Sequence, residues 1–224
     1  MKALGVEPGG DLLPAGGRAW TQDVPLMRTE IDGPVRVEVR KGRDTLSWTQ
    51  GEQVALRAAQ TGETRIELKD APLVFVGYGV SAPERNWDDF KGMDLKGKVA
   101  LILVNDPDFE TGEGAFGGKA MTYYGRWTYK YEEMARRGAA GALVIHETEP
   151  AAYGWLTVKN SNTNEAFDVL REDPKSQHVP VQGWIQRDAT VEIMRKAGLD
   201  FDELKIRAQK PDFQPVVLDG VTFS

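Results

Sequence analysis

The feature that most constrains the fold is a pair of short apolar runs separated by an amphipathic segment. Residues 99–104 and 142–145 contain no polar side chain, which is typical of strands that are covered on both faces. Between them, residues 129–137 carry apolar side chains at positions 131, 134 and 135, the spacing of one helix face. Two buried strands joined by a helix predict a right-handed parallel βαβ unit.

The residues before this unit follow the two-residue period of a β-strand. Residues 35–39 alternate valine with charged side chains, and residues 53–57 and 64–68 repeat the alternation more briefly. The run at 73–76 is entirely apolar and predicts a strand buried on both faces. We therefore expect the first part of the chain to be all-β.

The residues after the unit predict fewer elements. Residues 179–185 predict a strand, and Asp188 is expected to cap a helix over 189–196. A short helix is expected at 165–170. After residue 204 the sequence predicts no regular element.

Composition excludes several chemistries. The 224 residues include no cysteine, so disulfides, thiolate metal sites and cysteine nucleophiles are excluded. The net charge of −6 argues against a nucleic-acid surface, which needs clustered Lys and Arg. No apolar run approaches the ~20 residues of a membrane span. The two histidines, His146 and His178, lack metal-ligand spacing and are interpreted as structural.

The glycine-rich loop contains a match to the dinucleotide pattern G-x-G-x-x-G at residues 112–117. The mechanism of that pattern needs a strand directly before it and a helix directly after it, whereas residues 106–111 intervene here. A phosphate-binding P-loop is also incomplete, because Ala120 follows Lys119 where a Ser or Thr is needed. We interpret residues 110–126 as a loop without a nucleotide.

The aromatic residues that follow are the strongest candidates for binding. Residues 123–131 contain five aromatic side chains, and Tyr, Trp and Arg are enriched in the energetic centres of binding surfaces. The candidate site residues are Tyr123, Tyr124, Arg126 and Trp127. The alternative is that about half of the aromatic side chains, including that of Tyr131, belong to the core. No G-x-S-x-G motif marks a serine nucleophile, and no carboxylate pair stands out.

Several segments, taken in order, resemble a known family, the protease-associated domain. The segments are 94–102 (DLKGKVALI), 131–145 (YEEMARRGAAGALVI) and 179–181 (VPV). Residues 72–80 (PLVFVGYGV) and 87–90 (WDDF) are similar to the version inserted in bacterial zinc aminopeptidases of metallopeptidase family 28, the relatives of glutamate carboxypeptidase and transferrin receptor. The resemblance implies an α+β fold, a β-rich sandwich or open barrel flanked by short helices.

The chain departs from that family in two ways. The glycine-rich and aromatic loop replaces the Arg-Gly-x-Cys-x-Phe segment that many such domains carry before the helix. The catalytic domain of the family opens its metal site with His-x-Asp, but Thr148 follows His146 and Pro180 follows His178 at that spacing. No zinc ligand can therefore be assigned to this chain, and zinc is expected in the catalytic domain of the parent polypeptide.

The resemblance also implies an organisation and a role. Residues 1–25 are expected to be a linker, 26–206 the protease-associated domain, and 207–224 a linker toward a catalytic domain. The chain is expected to have no activity of its own and to help peptide substrates reach the cleft of that partner domain, in the periplasm or outside the cell. The alternatives are an independent protein-interaction module, or a nucleotide-binding or carboxylate-driven enzyme.

Overall fold

The computed structural model describes all 224 residues, which form twelve strands and five α-helices. The strands are β1 Leu26–Thr29, β2 Val37–Lys41, β3 Asp44–Trp48, β4 Val54–Leu56, β5 Ala71–Phe75, β6 Ser81–Ala82, β7 Trp87–Asp88, β8 Val99–Leu103, β9 Gly141–His146, β10 Ala166–Val169, β11 Val181–Gln186 and β12 Val216–Phe223. The helices are α1 Trp127–Arg136, α2 Thr148–Ala151, α3 Trp155–Asn162, α4 Arg187–Lys196 and α5 Phe201–Ala208.

Eight strands form one mixed sheet in the order β3-β2-β12-β5-β8-β9-β11-β4. Strands β5, β8, β9 and β11 are parallel, and the remaining pairs are antiparallel. The two edge strands, β3 and β4, are consecutive in the chain, so the short turn between them brings the two edges together and leaves the sheet nearly closed as a barrel. The expected α+β class, with short flanking helices, is confirmed.

The parallel βαβ unit predicted from the apolar runs is present as β8, α1 and β9, with β8 and β9 paired in parallel. Alternate side chains of β8 enter two cores. Leu101 packs on the inner face with Ile193 of α4 and Phe201 of α5, whereas Ile102 packs on the outer face with Met134 of α1. Burying each of these side chains contributes about 2 kcal/mol, which explains why both faces of the strand are apolar.

The last strand, β12, corrects the expected linker at 207–224. It lies between β2 and β5, near the middle of the sheet, and buries Leu218, Val221 and Phe223 in the inner core. The pairing with β5 shifts register between Val217 and Thr222, where Gly220 adopts a positive φ of 65°. Because this irregularity breaks the two-residue period, the sequence pattern indicates a turn and a tail and does not predict the strand.

Two other expectations are corrected. Residues 165–170 do not form a helix, because β10 pairs there with β1 in a separate two-stranded sheet; the helix of this region is α3. Asp188 is not a helix cap, because α4 already begins at Arg187 and the Asp188 side chain is 96 % exposed. The unpredicted α5 has a capped start, where Asp200 accepts a hydrogen bond from the backbone N–H of Glu203.

The remaining expectations concern short segments. The strands predicted at 53–57, 73–76 and 179–185 correspond to β4, β5 and β11, but residues 64–68 form no strand. Residues 1–25 contain one 3-10 turn and an isolated bridge between Leu12 and Arg18. None of the helices combines the length and apolar character that a bilayer crossing requires.

Candidate functional site

The start of α1 is held in place by a buried carboxylate at the end of β8. Asp106 accepts hydrogen bonds from the backbone N–H of Thr122 at 2.6 Å and from its hydroxyl at 2.8 Å. Burial raises the pKa of the Asp106 carboxyl, more than these hydrogen bonds lower it. The backbone N–H of Asn105 also donates to the carbonyl of Gly125. The loop is thereby fixed immediately before the predicted site residues.

Two of the predicted residues form an aromatic surface. Tyr124 packs edge-on against Tyr129 at 5.0 Å and Phe116 at 5.9 Å between ring centroids, and its hydroxyl donates to the Glu84 carboxylate at 2.8 Å. Tyr123, whose side chain is the more exposed, packs against Tyr129 at 5.8 Å. We refer to Tyr123 and Tyr124 as the tyrosine surface; the Phe116 ring beneath them is buried. Edge-to-face packing of this kind fixes the rings while leaving their outer faces available.

The hydroxyl groups on this surface are engaged with carboxylates. Tyr123 donates to both carboxylate oxygens of Glu132, at 2.7 and 2.8 Å. The hydrogen bond from Tyr124 lowers the pKa of Glu84, while the same bond raises the pKa of Tyr124. Both tyrosines therefore stay neutral, and they present a rigid, amphipathic face to solvent.

The other two predicted residues lie at the beginning of α1 on a different cluster. Trp127 is half-buried, packs against Tyr131 at 5.6 Å, and lies under the guanidinium of Arg57. Arg126 precedes the helix, is exposed and makes no ion pair. Trp127 lines a cavity of about 150 Å³ together with Arg57, Tyr153, Val158, Ser161, Asn162 and Trp184. We refer to this cavity as the Trp127 pocket.

The pocket contains residues that the sequence did not single out. Arg57 follows β4, Trp184 lies on β11, and Tyr153 precedes α3, so they are distant in sequence from Trp127. Arg57 and Trp184 fall in predicted strands, whereas Tyr153 shows no local pattern. The alternative interpretation of the aromatic stretch is also partly confirmed, because Tyr129 and Tyr131 are buried in the structure.

A buried cation connects α1 to the segments that follow β5 and β8. Lys130 of α1 is fully buried and donates to the backbone carbonyls of Tyr78 at 2.6 Å and Asn105 at 3.1 Å. Burial lowers its pKa, and the nearby carboxylates of Asp89 and Asp106 act against that shift. Burial likewise raises the pKa of Asp89, which accepts hydrogen bonds from Val80 and Trp87. This group links α1 to the strand ends and is structural.

The glycine-rich loop is organised around an acidic side chain. One carboxylate oxygen of Asp108 accepts a hydrogen bond from the backbone N–H of Phe116 at 2.7 Å, and Gly114 lies against the same carboxylate. The next helix, α1, begins only at Trp127. In a dinucleotide site, backbone N–H groups and a helix start would bind the pyrophosphate. Here the N–H of Phe116 is bonded to Asp108 and no helix begins directly after the loop, so the loop is not arranged to bind a pyrophosphate.

A second, larger cavity of about 410 Å³ lies at the carboxyl ends of β9 and β11. Its lining is polar and contains four carboxylates against two cations. The cation Lys205 contacts Glu110 at 2.6 Å and Glu147 at 2.9 Å, and the cation Arg187 contacts Asp202, which lies outside the lining, at 2.6 Å. Both cations are therefore engaged in ion pairs, and the other two carboxylates of the lining are largely exposed to solvent.

The residues present do not fit a zinc ion. No group of three or more His, Asp or Glu side chains lies together in an arrangement that could hold a metal. His146 makes a 2.9 Å hydrogen bond to the Tyr153 carbonyl and is surrounded by aromatic rings. His178 lies 2.7 Å from the Asp168 carboxylate. Each imidazole has a structural partner.

Comparison with other proteins does not identify the chain, since neither the known protein-family models nor the curated proteins match it at a significant level.

Proposed function

We propose that this chain is a non-catalytic protease-associated domain of a zinc-dependent aminopeptidase and that it contacts peptide substrates beside the cleft of the catalytic domain. The observation that carries the proposal is the position of the resembling segments. They form β8, α1, β9 and β11, which are consecutive parallel strands and their crossover helix within a nearly closed sheet. That architecture is the one that the resemblance implies.

The tyrosine surface is the part of the chain that would contact peptide in this proposal. Tyr123 and Tyr124 are held by packing and by hydrogen bonds to carboxylates, so little side-chain entropy is lost when they bind. Their rings offer apolar area to peptide side chains. Zinc and the general base would be supplied by the catalytic domain, outside this chain, and the location would be periplasmic or extracellular.

The catalytic domain is the other partner in the proposal. The two-stranded sheet of β1 and β10 exposes Leu26, Phe167 and Val169, and Leu170 follows with its side chain exposed. Neighbouring exposed apolar side chains of this kind mark protein-contact surfaces. An exposed apolar face that is separate from the substrate-contacting surface suits a domain that is attached to another protein.

A peptide-binding assay tests the proposed contact. Fluorescein-labelled chymotryptic peptides of casein are titrated with the chain, and binding is followed by fluorescence anisotropy. Tyr123→Ala should weaken binding about five- to tenfold, because truncating an aromatic contact residue typically costs more than 1 kcal/mol. Phe167→Ala is the matched control, since Phe167 is 54 % exposed against 56 % for Tyr123. Equal affinities for both variants and the wild type would count against the tyrosine surface.

A hydrolysis assay tests the non-catalytic part of the proposal. The chain is incubated with leucine p-nitroanilide and Zn²⁺, and release of p-nitroaniline is compared with a blank that contains Zn²⁺ alone. The expected rate equals the blank. Turnover that scales with protein concentration and stops with EDTA would overturn the proposal.

A further inference from the structure

The Trp127 pocket contains a cation that no other group of the chain neutralises. The side chain of Arg57 makes no ion pair and no hydrogen bond, and its Nε atom is buried without a partner. The guanidinium carbon lies 5.0 Å from the centroid of the Trp127 ring, which holds the guanidinium plane without satisfying its N–H groups. A buried donor of this kind is stabilised when an anion accepts its hydrogen bonds.

The rest of the lining sets the kind of anion. No acidic side chain lines the pocket, so nothing in it competes for the guanidinium. Tyr153, Trp184 and Val158 supply apolar walls. Arg126 lies close enough to Tyr153 to lower the pKa of its phenol, against the larger upward shift from burial. The pocket is therefore both apolar and electropositive.

A polar group on α3 completes the lining. The amide nitrogen of Asn162 donates to the Val158 carbonyl at 2.8 Å, which fixes the side chain and leaves the amide oxygen as an acceptor. The hydroxyl of Ser161 donates to the Thr157 carbonyl at 2.9 Å and accepts a hydrogen bond from the Asn162 amide nitrogen at 3.1 Å, which leaves one lone pair available. The pocket thus offers a cationic donor and neutral acceptors, together with aromatic walls.

We propose that the Trp127 pocket binds the C-terminal residue of a peptide. The carboxylate would pair with Arg57, the apolar side chain would pack against the edge-to-face pair of Tyr153 and Trp184, and the last peptide N–H would donate to the amide oxygen of Asn162. The volume of about 150 Å³ suits one residue, because pockets for drug-sized ligands measure about 300–1,000 Å³. This inference rests on the proposed peptide contact and adds the part of the peptide that is recognised.

A free amino acid also offers a carboxylate and an apolar side chain. The pocket discriminates between a free amino acid and the C-terminus of a peptide. A free amino acid carries an ammonium group next to its carboxylate. Arg57 and the neighbouring Arg126 would repel that group, and no acidic side chain of the lining would receive it. The pocket therefore favours a carboxylate whose nitrogen is acylated, as in a peptide.

Three small probes test the inference on the wild-type chain. N-acetyl-L-leucine carries the carboxylate and the acyl group, N-acetyl-L-leucinamide lacks the charge, and L-leucine adds the ammonium group. Binding is followed by NMR through the indole N–H signals of Trp127 and Trp184. We expect N-acetyl-L-leucine to bind at least about tenfold more tightly than either of the other two probes. Because all three probes are titrated into the wild-type chain, the result does not depend on whether a variant folds.

Substitution assigns the effect to one residue. Arg57→Gln should weaken binding of N-acetyl-L-leucine about tenfold, and Arg195→Gln, an exposed arginine on α4, is the matched control and should leave it unchanged. Equal binding of N-acetyl-L-leucine and its amide would overturn the carboxylate inference and leave the peptide contact standing. Absence of binding by all three probes would also overturn it. If the casein peptides failed to bind as well, the proposed function would fail with it.

Discussion

The guanidinium of Arg57 lies over the indole ring of Trp127, 5.0 Å from the ring centroid, although the two residues come from opposite halves of the chain. Arg57 directly follows the edge strand β4, and Trp127 is the first residue of α1. β4 pairs with β11, which pairs with β9, and α1 packs on β9, so the order of strands in the sheet brings these two elements together. A cation and an aromatic face that no local sequence pattern connects thus form one wall of a small pocket.

Replacement of the buried lysine should destabilise the fold. In Lys130→Met the carbonyls of Tyr78 and Asn105 lose their donor, and the buried carboxylates of Asp89 and Asp106 lose their only buried cation. We expect the free energy of unfolding in urea to fall by about 3–5 kcal/mol. Lys69→Met, at an exposed position, is the control and should change it by less than about 0.5 kcal/mol. Equal stability of both variants would show that Lys130 does not hold the turn.

A glycine at the end of β5 tests the packing of the inner core. Gly77 has a φ of +59°, and a Cβ there would lie 2.9 Å from the Phe213 ring, so Gly77→Ala should cost about 2–3 kcal/mol in urea unfolding. Gly92→Ala is matched in backbone, with a φ of +78°, but its Cβ would meet nothing within 4 Å. It should cost only about 1 kcal/mol. Equal costs would mean that Phe213 moves aside freely.

Stability at acid pH should depend on Asp168. Burial, the largest influence, raises the pKa of this carboxyl, but hydrogen bonds from His178, Arg171 and Val169 together lower it below its ordinary value of 3.8. A lowered folded-state pKa gives stability that is present above pH 3.8 and is lost as the pH falls through the folded-state pKa. Asp168→Asn should therefore cost about 1 kcal/mol in urea unfolding at pH 6 and almost nothing near about pH 2.5. A cost that stayed constant with pH would contradict this account.

Removal of the last strand should prevent folding. Ending the chain after Phe213 takes β12 from between β2 and β5 and removes Leu218 and Phe223 from the inner core. We expect no cooperative thermal transition by circular dichroism. Removing residues 1–9, which lie almost entirely at the surface, is the control and should leave the transition in place. A normal transition after the C-terminal truncation would restore the linker interpretation of this segment.

The parts of the fold that the sequence predicts are those in which burial is local and complete. Residues 99–104 and 142–145 are apolar without interruption because both faces of β8 and β9 are covered, so strand, helix and strand can be recognised in order. β12 could not be recognised, because the Asp219-Gly220 pair reads as a turn while the strand continues past it through a register shift. β12 is recognised as a strand only from its pairing with β2 and β5 in the structure.

The candidate site was predictable to a similar extent. Tyr123, Tyr124, Arg126 and Trp127 stand out by their residue types, but the sequence cannot show that the two tyrosines and Trp127 belong to different clusters. The pairing of β4 with β11 brings Arg57 to Trp127, and the strand pattern over residues 53–57 does not mark Arg57 as a binding residue. A single arginine after a short strand becomes distinctive only when its neighbours in space are known.

The most direct test of the account is an NMR titration of the ¹⁵N-labelled chain with unlabelled chymotryptic peptides of casein, which end mainly in apolar residues. If the chain contacts peptide substrates as proposed, the backbone amides of residues 122–128 and the indole N–H of Trp127 should shift together and saturate, while those of β1 and β10 should stay unchanged. Shifts confined to other parts of the chain, or no shifts at saturating peptide, would contradict the central claim.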